Sequence, residues 1–340
     1  MALRSKMGVR GAWWLVPAAA LGIVVAAVAG PLNPPAGPVG PTAKTLAEVE
    51  PRVAVNATNT PGDATSVFRI VQPGSYYLAG NLAGVSGKHG IVITASGVTL
   101  DLNGFDVVGV AGSLDGVSAT AASLGNIAVR NGSVRSWGGD GVKLGVLTSS
   151  NCSVTDVLSR QNAGNGIVVG SSAAVRGCQA FNNTLGGIST YVGAMVTECI
   201  AASNQTDGIS CEYGSTVSGC LAQNNRGAGI RVSFGCNVLS NVCAANGGPT
   251  AGGKGVQATG SDNRIEGNNC VSNDKGIVVD VAGNVIVRNT CSGNFPDWVI
   301  AANNVYGPIV DRRAPASGAV SGYSGAGSLG TTDANANFSY

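Results

Sequence analysis

A glycine followed by isoleucine or valine recurs through the middle of the chain at a nearly constant spacing. Successive glycines lie 21, 25 or 26 residues apart, and apolar and polar residues alternate after them. A period of two is typical of a strand with one buried face. The glycines that begin these strands are Gly90, Gly116, Gly141, Gly166, Gly187, Gly208, Gly229, Gly255 and Gly276.

No helical pattern separates the strands, which excludes a βαβ fold. A coil of 21 to 26 residues can hold three short strands and three turns, and each coil advances by one strand spacing along an axis. A single coil cannot bury its own apolar face, so neighbouring coils must cover it. The repeat therefore predicts an all-β solenoid, a parallel β-helix of about nine or ten coils and about 45 Å in length.

Two other sets of residues recur once per coil and support this alignment of the coils. A cysteine falls once per coil on six successive coils, and Val157 fills the equivalent place one coil earlier. Asparagines follow in the next turn, where stacked amides can hydrogen-bond along the axis and tolerate a left-handed backbone. The cysteines are Cys178, Cys199, Cys220, Cys243, Cys270 and Cys291, and the asparagines are Asn182, Asn204, Asn224, Asn246, Asn273 and Asn294, with Asn241, Asn268 and Asn289 two residues before a cysteine.

Short motifs in the repeat resemble a known superfamily. Residues 263–268 (Asn-Arg-Ile-Glu-Gly-Asn) and 284–289 (Asn-Val-Ile-Val-Arg-Asn) are similar to repeats of periplasmic NosD-type β-helix proteins, and residues 97–104 resemble the first coils of secreted bacterial ones. Over about residues 66 to 305 the chain resembles the pectin-lyase-like superfamily. The resemblance implies a single-stranded right-handed parallel β-helix. It leaves function open, because the superfamily includes lyases, hydrolases, epimerases, esterases and non-catalytic members.

The first 44 residues predict export. Three basic residues precede an apolar run over residues 12–29, which ends in Ala27-Val28-Ala29. This pattern is typical of a signal peptide over residues 1–29, although an uncleaved membrane anchor is the alternative. Five prolines then indicate an extended spacer over residues 30–44. We expect a secreted, periplasmic or cell-surface protein.

The remaining chain divides into a rod and a tail. Residues 45–310 form the β-helix with an N-terminal cap, and residues 311–340, rich in Gly, Ser and Ala, form a loose tail that could dock through Phe338 and Tyr340. Without the three basic residues of the signal, 20 − 3 = 17 Lys and Arg face 18 Asp and Glu. The mature chain is therefore nearly neutral and has no positive electrostatic potential that would attract nucleic acid. We expect a monomer that meets a membrane only through an uncleaved signal segment.

The nine cysteines have three interpretations. Export favours disulfides, but parallel side chains on neighbouring coils suit that bond poorly. No Cys-x-x-Cys pair is present, which argues against a metal site. The favoured interpretation is a column of buried thiols that act as apolar filler.

The first candidate site is the column of residues that directly precede the repeat glycines. This column places His89, Asp115 and Asp140 on successive coils, with Asp207 further along. Carboxylates about 5 Å apart can act as an acid and base pair or as a nucleophile, and Asp115 with Asp140 could hold Ca²⁺. The alternative, which we favour, is turn chemistry, because a turn position before glycine selects Asp and Asn for backbone reasons.

The outward face of the same strands is the second candidate site. One outward row contains Lys143 and Arg231, and a parallel row contains Tyr191 and Glu212. Asp207, Glu212 and Arg231 could form one cluster, with Tyr191 as a platform for a sugar. The alternative is an ordinary solvated strand face.

Two functional classes follow from these residues. The favoured class is an exported, non-catalytic module that binds polysaccharide or serves as a surface structure, because the longest coils exceed the shortest by only five residues and no long loop encloses a cleft. The alternative is a polysaccharide lyase or glycoside hydrolase that uses Asp115, Asp140 or Asp207 with Arg231 or Lys143. The resemblance implies Ca²⁺ only for a lyase, and otherwise we expect no cofactor.

Overall fold

The computed structural model describes residues 50–119, 121, 123–145, 150–248, 252–313 and 331–340. These residues form 33 β-strands in two parallel sheets, and none of them forms a helix. The predicted parallel β-helix is therefore confirmed. The predicted signal peptide and spacer lie outside the described residues, and within these ranges no helix could cross a membrane.

One sheet has eleven strands and begins each coil. Its inward positions stack residue on residue, so that Ile167, Ile188, Ile209 and Ile230 are register partners and are buried. Its strands are Ser66–Ile70, His89–Ile93, Val117–Ala119, Val142–Leu144, Ile167–Val169, Ile188–Thr190, Ile209–Cys211, Ile230–Val232, Lys254–Ala258, Lys275–Val279 and Trp298–Ile300.

The other sheet has 22 strands and completes each coil with two further strands that meet at a corner. Ile127–Arg135 and Ser153–Arg160 run through this corner without a break. The other strands are Val53–Ala54, Gly74–Tyr77, Leu82–Ala83, Val98–Asp101, Asp106–Val108, Ala174–Arg176, Gln179–Phe181, Met195–Thr197, Ile200–Ala202, Thr216–Ser218, Leu221–Gln223, Asn237–Leu239, Val242–Ala244, Arg264–Glu266, Asn269–Val271, Val285–Val287, Thr290–Ser292, Val305–Tyr306, Ile309–Asp311 and Asn337–Ser339.

The number of coils exceeds the prediction. Eleven strands form the first sheet, whereas the glycine repeat indicated nine or ten coils. The first strand, Ser66–Ile70, and the last, Trp298–Ile300, are register partners of glycine-bearing strands. They carry Val67 and Asp297 where their neighbours carry the repeat glycine. The repeat signature therefore misses the two terminal coils.

The repeat glycines are required by contact with the next coil. A Cβ on Gly187 would lie 2.5 Å from the carbonyl oxygen of Gly208 and 2.7 Å from Nδ2 of Asn204. Real Cβ atoms do not come so close to a backbone oxygen. The glycine therefore lets the two coils approach and leaves room for a buried asparagine amide.

A buried asparagine ladder runs along the turn that faces these glycines. From Asn183 to Asn273, each backbone N–H and each Nδ2 donates to Oδ1 of the next ladder residue, and Nδ2 also donates to a carbonyl oxygen of the preceding coil. The prediction of Asn182 and Asn224 as ladder members was wrong. They have φ of 53° and 54° and form the left-handed corner, so that the next residue turns inward. The ladder is Asn162, Asn183, Asn204, Asn225, Asn246, Asn273 and Asn294.

The six cysteines that were predicted to form one column form two columns. Cys178, Cys199 and Cys220 stack with Val157, but Cys243 is the register partner of Ala222. The first column continues as Asn241, Asn268 and Asn289, while Cys243, Cys270 and Cys291 continue a column of alanines. The coil keeps its 21-residue spacing here, since Cys220 lies opposite Asn241, and Cys243 lies two residues further along the coil. All nine cysteines are buried and unpaired by disulfides.

Both ends of the rod carry non-repeating segments. At the N-terminal end, Pro61 bridges Phe68 in antiparallel fashion, so that the cap lies against the first strand. At the C-terminal end, Asn337–Ser339 pairs with Thr290–Ser292, and Trp298 Nε1 donates to Ser339 Oγ at 2.8 Å. The described end of the stretch assigned to a tail thus continues the β-helix, and residues 314–330 lie outside the description.

Candidate functional site

The column before the repeat glycines begins with a chain of contacts between coils. His89 Nδ1 accepts the backbone N–H of Asp115 at 3.1 Å, and Asp115 Oδ1 accepts the backbone N–H of Asp140 at 2.8 Å. Asp115 Oδ2 lies 3.4 Å from the same imidazole nitrogen. His89 and Asp115 thus contact each other through both the backbone and the side chain of Asp115.

Asp140 continues the chain and holds a lysine. Its Oδ1 accepts the backbone N–H and Nδ2 of Asn165, at 2.7 and 3.0 Å, and its Oδ2 lies 2.9 Å from Nζ of Lys143. The Asp140 carboxylate raises the pKa of Lys143. Both oxygens of this nearly buried carboxylate are therefore engaged, one with the next coil and one with the ammonium group.

Asp207 repeats this arrangement in the middle of the rod. Its Oδ1 accepts the backbone N–H of Ala228 at 2.8 Å, and its Oδ2 lies 2.7 Å from Nε of Arg231 on the next coil. Arg231 also donates from Nη2 to Ser210 Oγ at 3.2 Å. The structure thus brings together two members of the predicted cluster, Asp207 and Arg231, and adds Ser210.

The outward rows have the predicted alignment. Lys143, Ser189, Ser210 and Arg231 lie in one register row, with Val168 between the first two. Tyr191 is half-buried and Glu212 is exposed. The Glu212 carboxylate makes no ion pair with any of the described residues, so Arg231 binds Asp207 rather than Glu212.

Two exposed aromatic rings form a step beside these rows. Tyr213 and Phe234 are 61% and 49% exposed and lie in the same turn of neighbouring coils, where the backbone N–H of Gly214 donates to the Phe234 carbonyl. The Tyr213 ring lies against Gly235, and the Phe234 ring lies against Gly260. Each ring therefore extends toward the next coil and contacts one of its glycines. We name Tyr213 and Phe234 the aromatic step.

Sequence reasoning missed the aromatic step. Tyr213 and Phe234 are 21 residues apart, as the coils are here, so their common turn position was available as a signal. They lie just after the strands, where a period of two no longer predicts which way a side chain points.

Several solved structures resemble this chain in their fold. No protein-family model and no curated protein sequence matches the chain. Among solved structures, a mannuronan C-5 epimerase A-module from Azotobacter vinelandii matches with 16% identity and a TM-score of 0.53, over 70% of this chain and 82% of that one. A pectate lyase matches with 17% identity and a TM-score of 0.34, over 69% and 63% of the two chains.

A tailspike protein of E. coli bacteriophage HK620, in complex with a pentasaccharide, matches with 15% identity and a TM-score of 0.43, over 72% of this chain and 58% of that one. The mannuronan epimerase module and this chain share the parallel β-helix fold. At this identity the similarity describes the fold alone, and a fold does not determine the chemistry.

The arrangement of the acidic column decides whether it could hold Ca²⁺. Calcium takes six to eight oxygen ligands. Asp115 Oδ1 and Asp140 Oδ1 already accept backbone N–H groups, and Asp140 Oδ2 faces an ammonium group. The residues present do not fit the ion, and no cluster of His, Cys, Asp and Glu among the described residues has the arrangement of a metal site.

Proposed function

We propose that this β-helix is an exported, non-catalytic module that binds an extended polysaccharide along the outward face of its eleven-strand sheet. The aromatic step carries the proposal. Exposed rings on neighbouring coils, each against a glycine of the next coil, can contact the C–H faces of successive sugar rings, and adjacent exposed apolar side chains are typical of binding sites.

Polar groups beside the step suit sugar hydroxyls. Ser210 and the Asp207–Arg231 pair lie on the strands that precede Tyr213 and Phe234, and the Glu212 carboxylate is exposed next to Tyr213. Hydroxyls, carboxylates and guanidinium groups supply both donors and acceptors. Because Ser189, Ser210 and Arg231 are register partners on successive strands, polar groups lie at the strand spacing along the rod, which favours an extended ligand.

The binding proposal can be tested by substitution in the aromatic step. We expect Tyr213→Ala and Phe234→Ala each to weaken binding to a retained neutral or acidic polysaccharide by about tenfold, which equals about 1.4 kcal/mol. Affinity electrophoresis across several polymers measures this change. Tyr306→Ala is the matched control, since this ring is 52% exposed but lies in the 22-strand sheet. Retention that both step variants leave unchanged contradicts the proposal.

The enzyme class remains the alternative. The carboxylates at 115, 140 and 207 each accept a backbone N–H of the next coil, which supports a role in holding coils together. A polysaccharide lyase or hydrolase would release unsaturated products or reducing ends. If such products form and Asp140→Asn or Asp207→Asn abolishes them, the binding-only proposal is overturned.

Export is part of the same proposal. It rests on the basic start, the apolar run and the small-residue exit within residues 1–29. Mass spectrometry of the protein recovered from outside the cytoplasm tests it. We expect a mature N-terminus after Ala29, whereas an intact N-terminus on a cytoplasmic protein contradicts the proposal.

A further inference from the structure

The column before the repeat glycines changes sign along the rod. Its N-terminal part carries Asp115 and Asp140, while its C-terminal part carries Lys254 and Lys275 on neighbouring coils. The two lysines are direct register partners and are half-buried. Neighbouring strands lie about 4.8 Å apart, so the two lysine side chains leave equivalent positions of adjacent strands and both ammonium groups can reach one ligand.

Nothing in the described chain neutralises this lysine pair. On an earlier coil, Asp140 binds Lys143 three residues later. The same two positions carry Lys254 with Gln257 and then Lys275 with Val278, and Gln257 donates instead to Asp280. No ion pair of either lysine with a described residue exists.

The neighbouring carboxylate is engaged elsewhere. Asp274 Oδ2 accepts the backbone N–H of Gly253 at 2.8 Å and that of Gly248 at 3.3 Å. It therefore accepts two backbone N–H groups of the preceding coil, and it makes no ion pair with Lys275. Like charges on adjacent strands repel each other, and an anion bound between the two ammonium groups would offset that repulsion.

We propose that Lys254 and Lys275 bind a tetrahedral oxyanion, namely a sulfate or phosphate ester carried by the polymer on this face. A lysine presents a compact charge with three rotatable donors, which suits a tetrahedral group, whereas the planar arginine fork suits a carboxylate. The nearest arginine in the outward row, Arg231, is already paired with Asp207. The inference rests on the proposed function, because it names the charge of the polymer that the aromatic step would bind.

The test compares polymers that share one backbone. The full exported chain is titrated with dextran, dextran sulfate, phosphorylated dextran and carboxymethyl dextran at one fixed salt concentration. We expect the sulfated or the phosphorylated polymer to bind at least about tenfold more tightly than carboxymethyl dextran, and the comparison of these two arms identifies the ester. The double variant Lys254→Gln/Lys275→Gln should lose this advantage and keep the affinity for unmodified dextran.

Arg176→Gln is the matched control. Arg176 is an exposed cation of the 22-strand sheet, paired with Glu198, so its loss changes the net charge on another face. Ester binding that the double lysine variant leaves unchanged, or that Arg176→Gln weakens equally, overturns the inference. If dextran binds through Tyr213 and Phe234 while the esters add nothing, the proposed function stands and the inference fails. If only the esters bind, through the lysines, the site stands and the aromatic step fails.

Discussion

The backbone N–H of Cys220 donates a hydrogen bond of 2.9 Å to Oδ1 of Asn241 on the next coil. The contact joins the last thiol of one column to a second asparagine ladder, which runs on through Asn268 and Asn289. A column of the core can therefore change from thiol to amide between two coils. It does so where each amide finds an oxygen, since Asn241 Nδ2 donates to Val217 O and to Asn268 Oδ1.

Loss of a ladder amide should destabilise the rod. Asn225 Oδ1 accepts the backbone N–H and Nδ2 of Asn204, and its own Nδ2 donates to Ala201 O. Asn225→Ala leaves these buried groups without that partner, and each such group costs about 1 to 3 kcal/mol. We expect a loss of about 3 kcal/mol in the free energy of unfolding, measured with urea.

The control for this variant is the residue before it. Asn224 is exposed and has φ of 54°, a conformation that glycine adopts freely. Asn224→Gly should change the free energy of unfolding by less than about 0.5 kcal/mol. Equal losses for the two variants would show that the ladder has no special role.

The close approach of coils at the repeat glycines predicts a sharp size limit. In Gly187→Ala the new methyl group would meet the Gly208 carbonyl oxygen at 2.5 Å, and the backbone there cannot move without disturbing the next coil. We expect a loss of about 3 kcal/mol in urea unfolding, at the upper end of overpacking costs. Gly80→Ala, where no atom lies within 4 Å, should be neutral. A stable Gly187→Ala variant is incompatible with this packing.

The sequence predicted the solenoid because its two signals, a period of two and a glycine at the coil spacing, are set by backbone geometry. It could not distinguish Asn182 from Asn183, because only the φ of 53° at Asn182 decides which amide turns inward. It placed Asp207 and Arg231 near each other but did not establish their pairing. Lys143 pairs with Asp140 of its own coil, three residues earlier. The equivalent position before Arg231 is Ala228, which has no carboxylate. Arg231 therefore pairs with Asp207 of the preceding coil.

The buried thiol of Cys211 predicts a loss of stability at high pH. Burial raises the pKa of Cys211 to about 12, whereas an unfolded thiol has a pKa of about 8.5. Above pH 8.5 or so the unfolded chain releases this proton while the folded chain keeps it. The free energy of unfolding is therefore fully retained below about pH 8.5 and falls by about 1.4 kcal/mol per pH unit up to about pH 12.

Cys211→Ala isolates this contribution, because the other buried thiols are common to both proteins. The difference in the free energy of unfolding between wild type and variant should be constant below about pH 8 and should decrease from about pH 9 upward. Urea titrations between these limits measure it. A difference that stays constant to about pH 11 would mean that the Cys211 thiol ionises as easily in the folded protein as in the unfolded chain.

Thr190 offers a substitution that should stabilise the protein. Its side chain is buried in the inward column between Val169 and Cys211, and its Oγ1 makes no hydrogen bond of good geometry with the described residues, although it lies near enough to the Cys211 thiol to lower the pKa of that group. Thr190→Val replaces this hydroxyl with a methyl group of similar size and removes the cost of burying an unsatisfied polar atom. We expect a gain of about 1 kcal/mol in the free energy of unfolding and a rise in Tm of about 2 to 4 °C.

Thr197→Val is the control for this variant. It lies at a half-buried outward position and should leave Tm nearly unchanged. A lower Tm for Thr190→Val would mean that the Thr190 hydroxyl makes a stabilising hydrogen bond in the folded protein.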